Sequence, residues 1–116
     1  MSVSTVAGRH AKLIDSLYEK SLSGDVEWSQ LSDKNYSSNL KSGSIRFFPS
    51  GADFIIQISD ASGNIVDRFS DVDLESFDPG KPFESYYGKM GELHKFITRK
   101  TSGADDVLDS MISELG

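Results

Sequence analysis

The sequence predicts an α+β fold in a single globular domain over residues 1–116. It would hold an N-terminal helix, a four- or five-stranded antiparallel meander, and two C-terminal helices, with all the helices covering one sheet face. Three observations predict this. Apolar residues recur at helical spacing near both ends of the chain and alternate with period two through its middle. The alternating runs are joined by turns too short for parallel crossovers. A chain of 116 residues suits one domain with its own core. Its apolar fraction is only 37%, but 7 Phe, 4 Tyr and 1 Trp supply large surfaces to bury.

His10, Leu13, Ile14, Leu17, Tyr18, Ser21 and Leu22 form the stripe of an amphipathic helix over about residues 5–22, with Gly24 placed to end it in the left-handed conformation. "VEWSQL" (26–31) alternates as a first strand, and Tyr36–Leu40 forms a short second one before a turn at Ser42-Gly43. "SIRFFPS" sets Ile45 and Phe47 against Arg46 and Phe48, and Pro49, lacking an N–H, should end it. "FIIQIS" and "IVDRFS" flank the turn "DASGN" as a hairpin.

"SDVDL" (70–74) follows, in which Ser70 and Asp73 have capping-box spacing and Leu74 and Phe77 would face the core. After the loop "DPGKP", the stripe Phe83, Tyr86, Tyr87, Met90, Leu93, His94 and Ile97 predicts a helix over 82–100, bent or closely packed at Gly88 and Gly91. A last helix carries Ala104, Val107, Leu108, Met111, Ile112 and Leu115, with Ser102 as its N-cap and Asp105 and Asp106 in its first turn.

The net charge of −6 is uneven. Residues 50–80 hold Asp53, Asp60, Asp67, Asp71, Asp73, Glu75 and Asp78 against Arg68 alone, and residues 101–116 hold Asp105, Asp106, Asp109 and Glu114 with no base. Such surfaces repel phosphate backbones, which disfavours direct nucleic-acid binding and favours a basic protein partner. The basic residues Lys95, Arg99 and Lys100, near aromatic Phe96, suit the C-terminal end of a helix dipole better than a nucleic-acid patch. With no cysteine there is no disulfide or thiolate metal site, which suits a reducing compartment. No run is apolar enough for a signal peptide or membrane span, so no membrane partner and a cytoplasmic location are expected.

Chemistry is sparsely signalled. Asp67, Asp71 and Asp73 are the candidates for a divalent-ion or enzymatic centre, but "DASGN" lacks the glycine and glutamate spacing of an EF-hand. His10 and His94 lie on or beside apolar stripes, outside any H-E-x-x-H context, and read as packing residues. There is no phosphate-binding loop, dinucleotide fingerprint or nucleophile elbow. The expectation is therefore a nonenzymatic chain without cofactor or metal.

The N-terminal helix ending near "LYEKSLSGDVEW", the meander, the acidic exit "SDVDL" and the closing "VLDSMISEL" together resemble small bacterial α+β single-domain proteins. The resemblance implies the fold and transfers no catalytic residue. The leading functional expectation is a noncatalytic interaction or regulatory module of a bacterial or mobile-element system. It would bind through the acidic hairpin surface (Asp53, Asp60, Asp67, Asp71, Asp73, Glu75, Asp78) or through the exposed sheet face. An acidic inhibitor mimicking nucleic-acid charge is one version of this. Besides the ion-binding or enzymatic alternative stands a self-associating unit, a homodimer with a seam at Phe48 and Ile55.

Overall fold

The computed structural model describes residues 5–116. Helix α1 (Val6–Ser23) begins where the Thr5 side chain accepts a hydrogen bond from the Gly8 N–H at 2.9 Å, and it ends at Gly24, whose φ of 87° is open to glycine without strain. Five strands follow: β1 (Ser29–Ser32), β2 (Asn35–Leu40), β3 (Gly43–Ser50), β4 (Asp53–Asp60) and β5 (Ile65–Ser70). They form one antiparallel sheet in sequence order, the expected meander. A 3₁₀ turn (Asp71–Leu74) leads to α2 (Tyr86–Ser102) and α3 (Ala104–Leu115).

The first strand starts later than the alternation suggests. Val26 and Trp28 pack beside the core ahead of the ladder, and the Trp28 indole N–H donates to the buried Ser21 hydroxyl at 2.8 Å. α2 likewise starts at Tyr86 rather than 82, because Ser85 caps it, accepting from the Gly88 N–H at 3.2 Å. Pro49 does not end β3, and it pairs with Phe54 of β4. β2 reaches only as far as Phe47, so beyond that point β3 has no partner on its other side and the missing N–H leaves no bond unmade. At the other end of β3 the hairpins approach closely, and a Cβ on Gly43 would stand 1.9 Å from the Ser59 carbonyl oxygen.

α1 and α2 lie on one sheet face. Ile14 and Leu17 from α1, and Met90, Leu93 and Ile97 from α2, meet Tyr36, Ile45, Phe47, Ile56 and Phe69 from the strands and Leu74 from the 3₁₀ turn. All are buried, each stabilising the fold by roughly 1.5–3 kcal/mol for a large apolar side chain. Polar pins fix the register of the layers. Tyr36 donates to Thr98 of α2 at 2.9 Å, and Ser38, buried in β2, donates to the Glu27 carbonyl at 2.7 Å.

The expectation that every helix covers the sheet fails at α3, none of whose residues is buried. Ser102 is in the last turn of α2 rather than at the N-cap of α3. Gly103, with φ of 71°, both terminates α2 and caps α3. This left-handed residue redirects the chain after the core face has been filled by α1 and α2. The radius of gyration is 15.6 Å against roughly 13 Å for a compact chain of this size, in keeping with a terminal helix off the core. No described helix is long and apolar enough to cross a membrane.

The two kinds of glycine site respond oppositely to one methyl group. Gly43→Ala drives Cβ into backbone and should destabilise the domain by at least ~2 kcal/mol in urea unfolding. In Gly91→Ala the new Cβ lies 3.6 Å from Phe54, an ordinary contact in a helix interior, so a gain of up to ~1 kcal/mol is expected.

Candidate functional site

The acidic hairpin is the first candidate, and its carboxylates are distributed over the fold rather than gathered. Asp53 and Asp60 stand at opposite ends of β4, roughly 23 Å apart along an extended strand. Asp60 closes the β4–β5 turn by accepting from the N–H groups of Ser62 (3.0 Å) and Asn64 (2.9 Å). The Asn64 bond is the first cause of its pKa lying below the ordinary carboxylate value. Asp73 accepts from the Ser70 N–H at 2.9 Å and so starts the 3₁₀ turn, as the spacing suggested. Asp78 accepts from Gly80 at 2.9 Å in the following loop. Glu75 is exposed.

Asp71 and Asp67 bridge distant segments. Asp71 is only 7% exposed and accepts from the Phe54 N–H at 2.7 Å, tying the exit of β5 to the start of β4. Asp67 points to the helical side, where its Oδ2 lies 2.8 Å from Nε2 of His10 on α1. The His10 ring in turn stacks on Phe69, with centroids 4.0 Å apart and planes 8° from parallel. The hydrogen bond from His10 is the main reason the Asp67 carboxyl titrates below its ordinary range. These three acids of the ion-binding alternative therefore have separate partners. Among the described residues no group of three or more His, Asp or Glu side chains converges in a way that could hold a metal ion.

His94 is a packing residue of another kind. Its Nε2 lies 2.9 Å from the Lys34 carbonyl, and its ring meets Tyr36, Phe47 and Phe54 at centroid distances of 5.3–5.5 Å.

The open sheet face has a character that the linear charge count hides. Arg46 pairs with Gln57 and Gln57 with Arg68, so these three side chains form a row on the face opposite the core, beside Phe48 and Ile55. The Arg46 and Arg68 guanidinium groups lie 5.2 and 5.8 Å from the Phe48 ring centroid. The middle of the face is thus basic and aromatic, while the acids occupy its ends, its turns and the helical side. Phe48 and Ile55 are half-buried, Phe48 under the two cations.

Two features escape the sequence reading. Lys89 sits on the apolar stripe of α2, three residues after Tyr86, and is nearly buried. Its ammonium donates to Asp15 of α1 at 2.8 Å and to the Pro79 carbonyl at 2.9 Å, within 5.5–5.8 Å of the rings of Tyr18, Phe83 and Tyr86. Tyr86 donates to the same Asp15 oxygen at 2.9 Å, and burial followed by that carboxylate raises its phenol above the ordinary value. A lysine at a stripe position was the available signal. Near burial and two acceptors from separate segments make it a structural cation.

The second feature is α3. Val107, Leu108, Met111, Ile112 and Leu115 form one continuous apolar stripe, each about half exposed or more, on a helix whose only charges are acidic. Arg99 pairs with Asp105 across the Gly103 junction and holds the first turn of α3 near the end of α2. The stripe itself was read from sequence as core, because periodicity reports an apolar face without saying what covers it.

No family model matches the chain, and comparison with curated proteins and with solved structures finds no significant similarity to either.

Removing one partner of the Lys89 pair is expected to cost more than removing both. Asp15→Ala leaves a nearly buried ammonium short of its counter-charge and should destabilise by ~1–3 kcal/mol, solvent reaching the half-exposed Asp15 side of the pair, whereas Asp15→Leu with Lys89→Met should recover most of the loss in chemical denaturation. The Asp67 carboxyl is depressed in the folded state, so the unfolded chain binds its proton first as pH falls. Its stabilisation is whole above the ordinary carboxylate pKa near 3.8 and disappears as pH drops through the lower folded value. Asp67→Asn should therefore flatten the acid limb of a stability–pH curve.

Proposed function

We propose that this chain is a noncatalytic protein-interaction module whose docking element is α3. The observation that carries the reading is the uncovered stripe from Val107 to Leu115. An isolated helix of 12 residues is marginal in water, and most helical stability in proteins comes from packing of the apolar face. α3 has such a face and finds no cover for it within its own domain. An exposed apolar helix with a charged flank matches the helix-in-groove mode of recognition, with anchors at spacings of three and four. Asp109 and Glu114 stand on either side of the stripe and Asp105 is already paired with Arg99, so the free acids favour a groove with a basic rim, in line with the basic partner that the charge distribution suggested.

The noncatalytic part of the reading is supported by how the reactive groups are engaged. His10 and Asp67 bond to each other, and His94, Asp71 and Lys89 are each bonded to a different segment of the fold. The docking surface moves from the acidic hairpin to α3 because the hairpin acids are dispersed and mostly bonded to backbone N–H groups at turns and caps.

Affinity capture with the tagged chain tests the proposal, with wild type set against Val107→Glu/Met111→Glu and, as a hairpin control, Asp53→Lys/Glu75→Lys. The α3 variant should unfold within ~0.5 kcal/mol of wild type, since it alters no buried residue. It should also lose its partner by about tenfold or more in affinity, while the hairpin variant retains it. Equal capture by wild type and the α3 variant would remove α3 from consideration.

A further inference from the structure

Beside the C-terminal half of α2 runs a groove of about 490 Å³ whose character is opposite to that of α3. Pro49 and Phe54 line it, and its charged side chains are all basic: Lys34, Lys95, which is 3.5 Å from the exposed Glu92, and Arg99, which already holds Asp105 of its own chain. α3 presents an apolar stripe flanked only by acids. The same chain thus carries both halves of a complementary pair, and the groove lies next to the junction from which α3 departs.

We propose that α3 of a second copy occupies this groove, and that two chains exchange their C-terminal helices about a two-fold axis to form a homodimer. The inference rests on the reading of α3 as the docking element and names what covers it. Charge selects this arrangement over two others. A seam of α3 against α3 would bring together two helices that each carry four acids and no base. A second cleft, about 270 Å³ between Trp28 and Phe96, carries Glu27 as well as Lys100, so an acidic helix gains less there.

The chain geometry suits the exchange. Gly103 joins α2 to α3 in the left-handed conformation, a one-residue junction at the groove's end, so α3 leaves its own body uncovered and can reach the groove of a second copy. With the two-fold axis near Gly103, α3 of one copy runs back along α2 of the other. Met111 is seven residues beyond Ala104 and Lys95 seven before Ser102, roughly 10 Å along each helix, so these positions face each other across the interface. The reciprocal contact is made twice, which doubles the area that one short helix can bury.

The experiment is sedimentation equilibrium of the full chain, combined with disulfide mapping that the absence of native cysteine keeps free of background. The expected results are a concentration-dependent dimer that weakens as salt rises, a Kd raised about tenfold or more by Lys34→Glu/Lys95→Glu, and recovery when that variant is mixed with Asp109→Lys/Glu114→Lys. Oxidation of mixed Lys95→Cys and Met111→Cys chains should give a cross-linked heterodimer. A chain that stays monomeric up to millimolar concentration would overturn the proposal. So would a dimer indifferent to Lys34→Glu/Lys95→Glu, or preferential cross-linking of Met111→Cys to Lys100→Cys on the side of the second cleft. A monomer whose capture of another protein still depends on Val107 and Met111 would defeat the exchange and leave α3 as a docking element. A monomer whose capture ignores α3 would defeat both.

Discussion

The ammonium of Lys89 is the constraint around which the helical layer is organised. It is a charge placed among the aromatic rings of Tyr18, Phe83 and Tyr86, and burial of a cation is tolerated only where its donors are met. Asp15 supplies the counter-charge from α1 and the Pro79 carbonyl supplies a second acceptor from the loop before α2. One side chain therefore fixes three segments relative to one another. Ile14 and Leu17 on one side and Met90 and Leu93 on the other can then share the apolar face of the sheet. Hydrophobic burial provides most of the free energy of that layer, but it is nondirectional, and the ion pair helps decide which helix faces meet.

The acids perform a comparable local task at the sheet. Asp60, Asp73 and Asp78 accept from backbone N–H groups where the chain turns, and Asp71 and Asp67 tie the end of β5 to β4 and to α1. Carboxylates are suited to this because each offers several lone pairs in a compact group, and a turn leaves N–H groups without ladder partners. The clustering of acids along the sequence thus arises from several chain reversals in a short span. In space the sheet separates the charges. Arg46, Gln57 and Arg68 run across its open face and the acids lie at its margins.

The domain closes its core without α3. α1 and α2 cover the buried residues of the inner face, and the left-handed Gly103 turns the chain away from the core. This separation gives the chain two parts with different requirements. One is a folded body whose stability is internal, and the other is a short apolar helix whose stability depends on what it touches. The groups that hold the body together lie on other elements.

Much of the fold was legible in the sequence because its determinants are local. The period-3.6 stripe and Gly24 set α1, the period-2 runs and short turns set an antiparallel meander, and Ser70 with Asp73 set the 3₁₀ start. Boundaries shifted where a contact between elements intervened, as when Trp28 bonded to Ser21 of α1 ahead of β1 or when β2 stopped short and let Pro49 remain in β3. The candidate site was much less legible. A linear count of acids identified the hairpin, and only the pairing of strands revealed a basic open face. Apolar periodicity marked α3 as a helix but assigned it to the core, and the place of Lys89 on the α2 stripe gained meaning only from Asp15 of α1. By itself the sequence determined which segments are helix, strand and turn, since backbone conformation follows from neighbours along the chain. Only the tertiary structure decided which faces are covered and which charges are matched, because burial and pairing depend on residues brought together from far apart.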